Sequence, residues 1–473
     1  MFNTPNWFAY TALLLWPIIV FRLFRKSSAI EGTFWAIFGG LMWLPVNVGI
    51  DLPLIPEFNK ESVPAISACL ACMRIAKVRI LFFGKKGLAQ FLLITTLFSP
   101  FITVLLNGDI YQVAGRVLPG VTLYDAISTL MTQFILFLPF ILARQIFKTK
   151  EDHILLFKML IKAGLIYSLF ILLEIRLSPQ LHRWVYGFFP HSFEQQMRDD
   201  GFRSVVFMSH GLRVGIFLMT AVLSAALFWK LKQRINRFSP LLVMLYLFIV
   251  QYLQKSTTAL LLATASILAI NFTPPKITAF MVKIILFIGL FYPILCLLQI
   301  FPHQYLINFA DIFGPDRAAS LAFRFNNEEV LLKHAADRLL FGWGAWGRNR
   351  VYAEDMGNEY GVTDGIWIIT LGTYGLVGFI SQFGLLTLPA FKAINLIKTL
   401  KSDIEIRLLL AHCLLLACIL VDQLPNSSLG GWAWLLCGAL LGRCEYIANN
   451  PQEKTVKQST AMTIAPYNST EKL

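Results

Sequence analysis

The sequence predicts an all-α, polytopic membrane protein with about 12–14 transmembrane helices and one large extracytoplasmic loop late in the chain. Three observations carry that prediction. Apolar residues make up 56% of the chain and charged residues only 14%, and the mean hydropathy is +0.63. Apolar runs of about 18–25 residues, the length a bilayer core demands, recur from end to end. Basic residues gather behind every second run, the alternation that sets orientation in a membrane.

Taken in order, the expected spans are 7–22, 30–49, 63–78, 88–106, 124–147, 154–173, 204–229, 239–254, 257–272, 277–301, 365–390, 406–424 and 431–447. The patterns at 63–78 and 239–272 are the weakest, so the count is a range. Arg22, Arg25 and Lys26 follow the first span, Lys77, Arg79, Lys85 and Lys86 the third, and Arg144, Lys148 and Lys150 the fifth. Lys230, Lys232, Arg234 and Arg237 follow the seventh, Lys276 the ninth, and Lys392, Lys398 and Lys401 the eleventh. Those connections are expected in the cytoplasm. Residues 51–62, 107–123, 174–203, 302–364 and 422–430, with the N-terminus, are expected outside. The chain then divides into spans over 1–301 with an outer loop at 174–203, a large outer loop at 302–364, spans over 365–447, and a polar, disordered cytoplasmic tail at 448–473. The first span has no basic region before it and no small-residue cleavage pattern, so no cleavable signal is expected.

A net charge of +14 sits mostly in the short cytoplasmic connections, beside anionic lipid headgroups. It marks the bilayer as a partner rather than nucleic acid. All seven cysteines lie in or next to expected spans, which leaves no disulfide framework. Cys69 and Cys72 form an isolated C-x-x-C and read as small buried hydrophobes. No 20–50-residue repeat and no inverted repeat is visible, which weighs against many transporter folds.

The arginines are unevenly placed. The two long outer loops, about 174–213 and 302–364, hold Arg176, Arg183, Arg198, Arg203, Arg213, Arg317, Arg324, Arg338, Arg348 and Arg350, with Lys333 the single lysine. The rest of the chain holds twenty lysines against ten arginines. Solubility alone would mix the two types. Only arginine presents a planar fork that grips carboxylate or phosphate in a bidentate way, and these arginines lie where the positive-inside rule disfavours them. The pattern points to an anionic, phosphate-bearing ligand outside the cytoplasm.

The 302–364 loop is too long for a plain connector, and Phe309, Phe313, Phe323, Phe325, Trp343 and Trp346 let it pack. Ala318 to Leu340 reads as a helix, with Leu321, Phe325, Val330, Leu332 and Ala336 on an apolar face and Glu328, Glu329, Asp337 and Arg338 on a solvated one. The run Phe341-Gly-Trp-Gly-Ala-Trp-Gly347 ends it. Its glycines suit either a cradle of backbone N–H groups for an anion or a tight turn with tryptophans at the headgroups. In the other loop, a span starting at 204 places Arg203, His210 and Arg213 on one face of its first turns. Snorkelling to headgroups and ligand binding both suit that placement.

Several short motifs follow one another: Gly201-Phe-Arg203-Ser-Val-Val-Phe-Met-Ser-His210-Gly, Ser320-x-x-x-Arg324, Arg338-Leu-Leu-Phe-Gly342-Trp-Gly344, Thr363-Asp364-Gly365 and Gly372-x-x-Gly375-x-x-Gly378. In this order, over about 200–390 and in its span layout, the chain resembles the O-antigen ligase/polymerase superfamily of bacterial envelope enzymes. The resemblance implies a GT-C-like helical fold. It also implies transfer of a glycan from a polyprenyl-diphosphate carrier to an acceptor hydroxyl, on the periplasmic face of the bacterial inner membrane. Leu340 stands where the family usually has proline, and Asp364-Gly365 where many members, ligases especially, have His-Asn. That favours a polymerase of lipid-linked repeat units over a ligase to lipid A-core, and a polymerase would also engage a chain-length regulator.

Such a transfer develops negative charge on the leaving diphosphate. A preorganised guanidinium is worth roughly 3–4 kcal/mol of barrier there, by analogy with single oxyanion donors. The acceptor hydroxyl needs a general base, worth about 10²–10⁴ in rate. Arg203, Arg213 and Arg324 are the expected diphosphate clamp, with Arg348 a fourth. Asp364 is the expected base or, with Thr363, a helix N-cap; His210 and His334 are alternative bases, or packing histidines. The outer loops hold no H-x-x-H, H-E-x-x-H or D-x-D pattern, so neither metal nor cofactor is expected. A reading of another class is a flippase or secondary carrier of an anion. It calls for charge and broken helices at mid-membrane, and the expected spans are almost free of central charge.

Overall fold

The computed structural model describes residues 4–52, 55–84, 86–198, 201–235, 237–353, 359, 361 and 364–450. Of the described residues, 71% are helical. Its helices are α1 (Trp7–Lys26), α2 (Ala29–Trp43), α3 (Ser62–Arg74), α4 (Leu88–Leu106), α5 (Leu123–Ile146), α6 (Lys150–Leu177), α7 (Leu181–Tyr186) and α8 (Gly211–Lys230). They continue as α9 (Pro240–Leu253), α10 (Thr257–Phe272), α11 (Pro275–Leu297), α12 (His303–Asp311), α13 (Pro315–Ala336), α14 (Ile366–Leu396), α15 (Asp403–Gln423) and α16 (Gly431–Asn449). Three small antiparallel hairpins interrupt them: β1 (Gly49–Leu52) with β2 (Ile55–Asn59), β3 (Tyr111–Val113) with β4 (Arg116–Leu118), and β5 (Met197–Arg198) with β6 (Gly201–Phe202).

Every expected span corresponds to a helix, but not every helix has the length of a straight crossing. Among the described residues eight are long and apolar enough: α1, α4, α5, α6, α8, α11, α14 and α15. This makes the chain a multi-pass membrane protein. The helices at the expected spans 30–49, 63–78, 239–254 and 257–272 have only 15, 13, 14 and 16 residues, short of the ~20 that a bilayer core requires. The expected tail lies outside the described residues from 451 onward, and α16 runs to Asn449.

The connections expected outside all meet at one end of the bundle, which also carries the three hairpins. There Asn6 donates to the Val185 carbonyl (2.9 Å), Lys60 to that of Phe207 (2.7 Å), and Arg338 to that of Leu106 (2.6 Å). At the opposite end three of the basic residues make ion pairs that involve α16. Arg144 pairs with Glu445 at 2.8 Å, Lys392 with Glu445 at 3.7 Å, and Arg443 with Glu405 at 2.9 Å. Between them α16 lies hard against α5: a Cβ at Gly438 or Gly442 would come within 2.2 or 2.3 Å of the Phe140 or Arg144 carbonyl oxygen. Small residues permit such close approach where helices pack in lipid.

Two expected elements shift. The helix expected over Ala318–Leu340 is α13, which begins at Pro315 in the first turn, where proline's missing N–H costs nothing. Its buried face is Ala318, Leu331, Leu332 and Ala335, while Ala336 is exposed. The span expected from 204 starts at Gly211. Glu174, 1% exposed at the end of α6, accepts the N–H groups of Leu181, Val205 and Val206 at 3.0, 2.7 and 2.7 Å. Val206 takes a left-handed φ of +52°. A backbone drawn in by that carboxylate cannot also make helical bonds, so the 203–210 segment turns before α8 begins.

Candidate functional site

Arg203 and His210 therefore do not lie on the first turns of a helix, as a span from 204 predicts. Arg203 is 6% exposed and held in the turn; its Nη2 donates to the Lys255 carbonyl at 3.1 Å, while its buried Nε has no partner. Burial, then the charges of Arg198, Arg324 and Arg317, push its pKa down to about 10. His210 is the N-cap of α8, with Nδ1 accepting the Leu212 N–H at 3.0 Å. Its ring meets that of His191 edge-on at 4.9 Å. Burial, then Arg203, His191, Arg198 and Arg324, push it down to about 3. A ring that accepts at Nδ1 is neutral and carries its proton on Nε2. His210 is thus built as a hydrogen-bond donor rather than as a base.

Arg324 comes to the same place from α13. Arg317, Arg324 and Glu328 stand at intervals of seven and four residues, on one helical face. Arg317 donates to the Thr257 hydroxyl at the start of α10. The Arg324 Nε is 4.0 Å from an Asp364 oxygen, with the two side chains 32% and 43% exposed. Asp364 is not the cap of α14: that position is Gly365, and no side chain caps it. Thr363 lies outside the described residues. Burial holds the Asp364 carboxyl above its ordinary range, against the pull of Arg324. Glu328 is not on a solvated face. Its oxygens accept from the Tyr292 hydroxyl at 2.8 Å and the Trp367 indole at 3.4 Å. Its neighbour Glu329 is exposed and pairs with Lys333 at 2.8 Å.

Arg213, on the first turn of α8, closes the site from the third side. It lies 3.5 Å from Glu61 and donates to the Ser428 carbonyl at 3.3 Å, leaving a buried Nε without a partner. The 422–430 turn that supplies Ser428 is organised by Asp422, whose carboxylate accepts from Gln423 (3.0 Å), Asn426 (3.0 Å) and Ser428 (3.1 Å). The Asn426 carbonyl receives the Ile366 N–H at 3.1 Å, so the turn sits beside Asp364. Both Arg213 and Arg324 act electrostatically on Asp422. Beside Glu61, buried Lys60 is held well below its ordinary pKa by burial and then by Arg213.

Arg348 and His334 belong elsewhere. Arg348 is 0% exposed; it donates to the Asp109 and Pro119 carbonyls at 2.7 and 3.2 Å and to the Asp109 carboxylate at 3.2 Å. The His334 Nε2 donates to the Arg348 carbonyl at 2.8 Å, and the ring stacks on Trp343 at 4.4 Å. The first glycines of the run are not free to cradle an anion either. The N–H groups of Trp343 and Gly344 bond the Gly372 and Thr373 carbonyls at 2.8 and 3.0 Å, and the N–H groups of Leu376 and Val377 bond the Leu339 and Leu340 carbonyls at 2.7 and 3.1 Å. This exchange is possible because α14 breaks at Gly375 (φ +67°), where a Cβ would lie 2.3 Å from the Leu340 backbone. Trp343 is buried, and Trp346 is exposed and bonds Asp125 at 3.0 Å.

Sequence reasoning missed Glu61, Lys60, Asp422 and Glu328. A signal existed for three of them: Lys60-Glu61 directly precedes an apolar run, and Asp422 ends one. Glu328 was legible only as a residue one turn from Arg324. Among the described residues no group of three or more His, Cys, Asp or Glu side chains is gathered as a metal would need. The arrangement can hold a multiply charged anion against guanidinium groups, with carboxylates beside it. Neither a family model nor a curated protein sequence matches the chain.

Proposed function

We propose that the protein is an integral-membrane glycosyltransferase that polymerises polyprenyl-diphosphate-linked oligosaccharide repeat units of an O-antigen or exopolysaccharide. In this reading it lies in the bacterial inner membrane with the hairpin end in the periplasm. One observation carries it: Arg324, more than a hundred residues further along the chain, comes within electrostatic reach of Arg203 and shares Asp422 with Arg213 at one end of the bundle, and all three keep guanidinium donors that the chain does not fill. A diphosphate supplies the acceptors that those donors lack. As the sugar's bond to the diphosphate breaks, charge grows on the leaving oxygens, and guanidinium groups already in place stabilise it without reorganising. Asp364 and Glu328 flank Arg324, so a carboxylate stands ready for the acceptor's proton. The resemblance of the motifs around these residues to the O-antigen ligase/polymerase superfamily supports the same reaction class, and a chain-length regulator would be its partner.

Ligation to lipid A-core is the nearest alternative; Asp364-Gly365 at the family's His-Asn position weighs against it. An anion carrier is the alternative of another class. The break in α14 is the feature that would favour one, but the backbone groups it frees are bonded by residues 339–344 and not left open to a substrate. The test is gel electrophoresis of glycan made by purified protein in liposomes, supplied only with polyprenyl-diphosphate-linked repeat unit. A ladder of lengthening, carrier-linked product is expected. Unchanged glycan size, with product appearing only when an acceptor lipid is added, means ligation. No product in either case overturns glycan transfer.

A further inference from the structure

Resting on the glycan-transfer reading, we propose that Glu328, rather than Asp364, is the proton acceptor of this site. Glu328 lies one turn after Arg324 on the same face of α13, so the two side chains reach toward the same space. Its carboxyl is oriented from two other elements: Tyr292 of α11 at 2.8 Å on one oxygen and Trp367 of α14 at 3.4 Å on the other. Each carboxylate oxygen has a second lone pair, so both remain able to accept. The remaining groups that act on it are Asp364, before α14, and Cys296 of α11, next to Tyr292.

The two carboxyls differ in what they can do. Asp364 is half-exposed and faces the Arg324 guanidinium; a diphosphate arriving at Arg324 competes for that same cation. Glu328 is desolvated. Burial, opposed by the Tyr292 and Trp367 hydrogen bonds and by Arg324 and reinforced by Asp364, pushes its carboxyl up to about 7. A base is most effective when its pKa lies near the working pH. In the step, the acceptor's oxygen bonds to the sugar's anomeric carbon while its O–H proton passes to the Glu328 carboxylate. The bond from that carbon to the diphosphate oxygen breaks, and its electron pair leaves on the diphosphate held by Arg324.

The experiment measures single-turnover transfer against pH in liposomes at saturating lipid-linked repeat unit, for wild type, Glu328→Gln, Glu328→Asp and Asp364→Asn. A base works ionised, so the wild-type rate is expected to rise with pH through about 7 and then level. Glu328→Gln should lose that limb and about 10²–10⁴ of the rate. Glu328→Asp should keep a limb at reduced rate, which guards against a Gln variant that fails to accumulate. Asp364→Asn should keep the limb. A limb that survives Glu328→Gln, or is lost in Asp364→Asn, overturns the proposal and leaves the transfer reading standing. A wild type that transfers no glycan overturns both.

Discussion

Two groups of arginines occupy the same end of this protein, and they are satisfied in different ways. Around Arg348 and Arg338 the chain itself fills most of the guanidinium donors, although the buried Nε of Arg348, like those of Arg203 and Arg213, has no partner. Arg348 reaches two carbonyls and the Asp109 carboxylate, and Arg338 reaches the Leu106 carbonyl, Asn107 at 2.7 Å and Asp109 at 3.5 Å while lying over the Trp343 ring at 4.5 Å. Around Arg203, Arg213 and Arg324 the chain supplies far less: one carbonyl to Arg203, one carbonyl and a glutamate to Arg213, one aspartate at 4.0 Å to Arg324. A guanidinium has five N–H donors. An arginine whose donors are spent on backbone carbonyls holds a loop together; one whose donors are left over can hold a ligand. The difference in how many donors are filled distinguishes the two groups more surely than their shared enrichment over lysine.

That comparison breaks most visibly in activity. Arg324→Ala and Arg213→Ala should each lower glycan transfer by about 10²–10³ or more while the protein still accumulates in the membrane; normal product from both would end the diphosphate-clamp idea. Arg324→Lys should also be poor, because a point charge cannot replace a fork. Arg348→Ala should do the reverse. It strands the Asp109 and Pro119 carbonyls, at about 1–3 kcal/mol for each buried acceptor left unpaired, so detergent-solubilised protein should show a lower melting temperature and reduced yield. If Arg348→Ala is fully stable but inactive, the two groups have been separated wrongly.

A smaller effect sharpens the same contrast. Inorganic pyrophosphate should raise the melting temperature of the wild type, by up to about 2.7 kcal/mol of stability at one hundred times its dissociation constant. Arg324→Ala should abolish that protection, and Arg350→Ala, whose partner is Glu359, should keep it. Gly375→Ala forces a side chain into a left-handed conformation worth about 1–3 kcal/mol of strain and against the Leu340 backbone; its melting temperature should fall. Smallest of all, Glu329→Gln removes only an exposed pair with Lys333 and should change stability by less than about 0.5 kcal/mol.

Much of this was legible in the chain because it depends on local pattern. Apolar runs gave the positions of the long helices, and the arginine bias pointed to the end of the bundle where a charged site lies. α13 was readable from its composition, and Pro315 marks its start. The failures share one cause. The 203–210 segment reads as the start of a span because its residues are apolar, but Glu174, about thirty residues earlier, takes its N–H groups. Gly342 and Gly344 suit a cradle or a tight turn equally well by pattern, and it is the break of α14 at Gly375, which takes up the same backbone, that decides between them. Glu328 reads as solvated because its neighbours are polar, but Tyr292 and Trp367 close over it. In each case the deciding partner comes from a distant part of the chain.

By itself, then, the sequence determined that this is a multi-pass helical membrane protein with arginine-rich loops, since hydrophobic length and charge alternation act over a single helix and its flanks. Only the tertiary structure decided which arginines meet. Arg203 and Arg213 lie on a turn and on the helix it enters, and it is helix packing that brings Arg324 of α13 to them, with Asp364 and Glu328 beside Arg324. Whether a buried guanidinium finds carbonyls or stays unfilled depends on how the hairpin-end turns close over it, and that is a property of the assembled bundle rather than of any stretch of the chain.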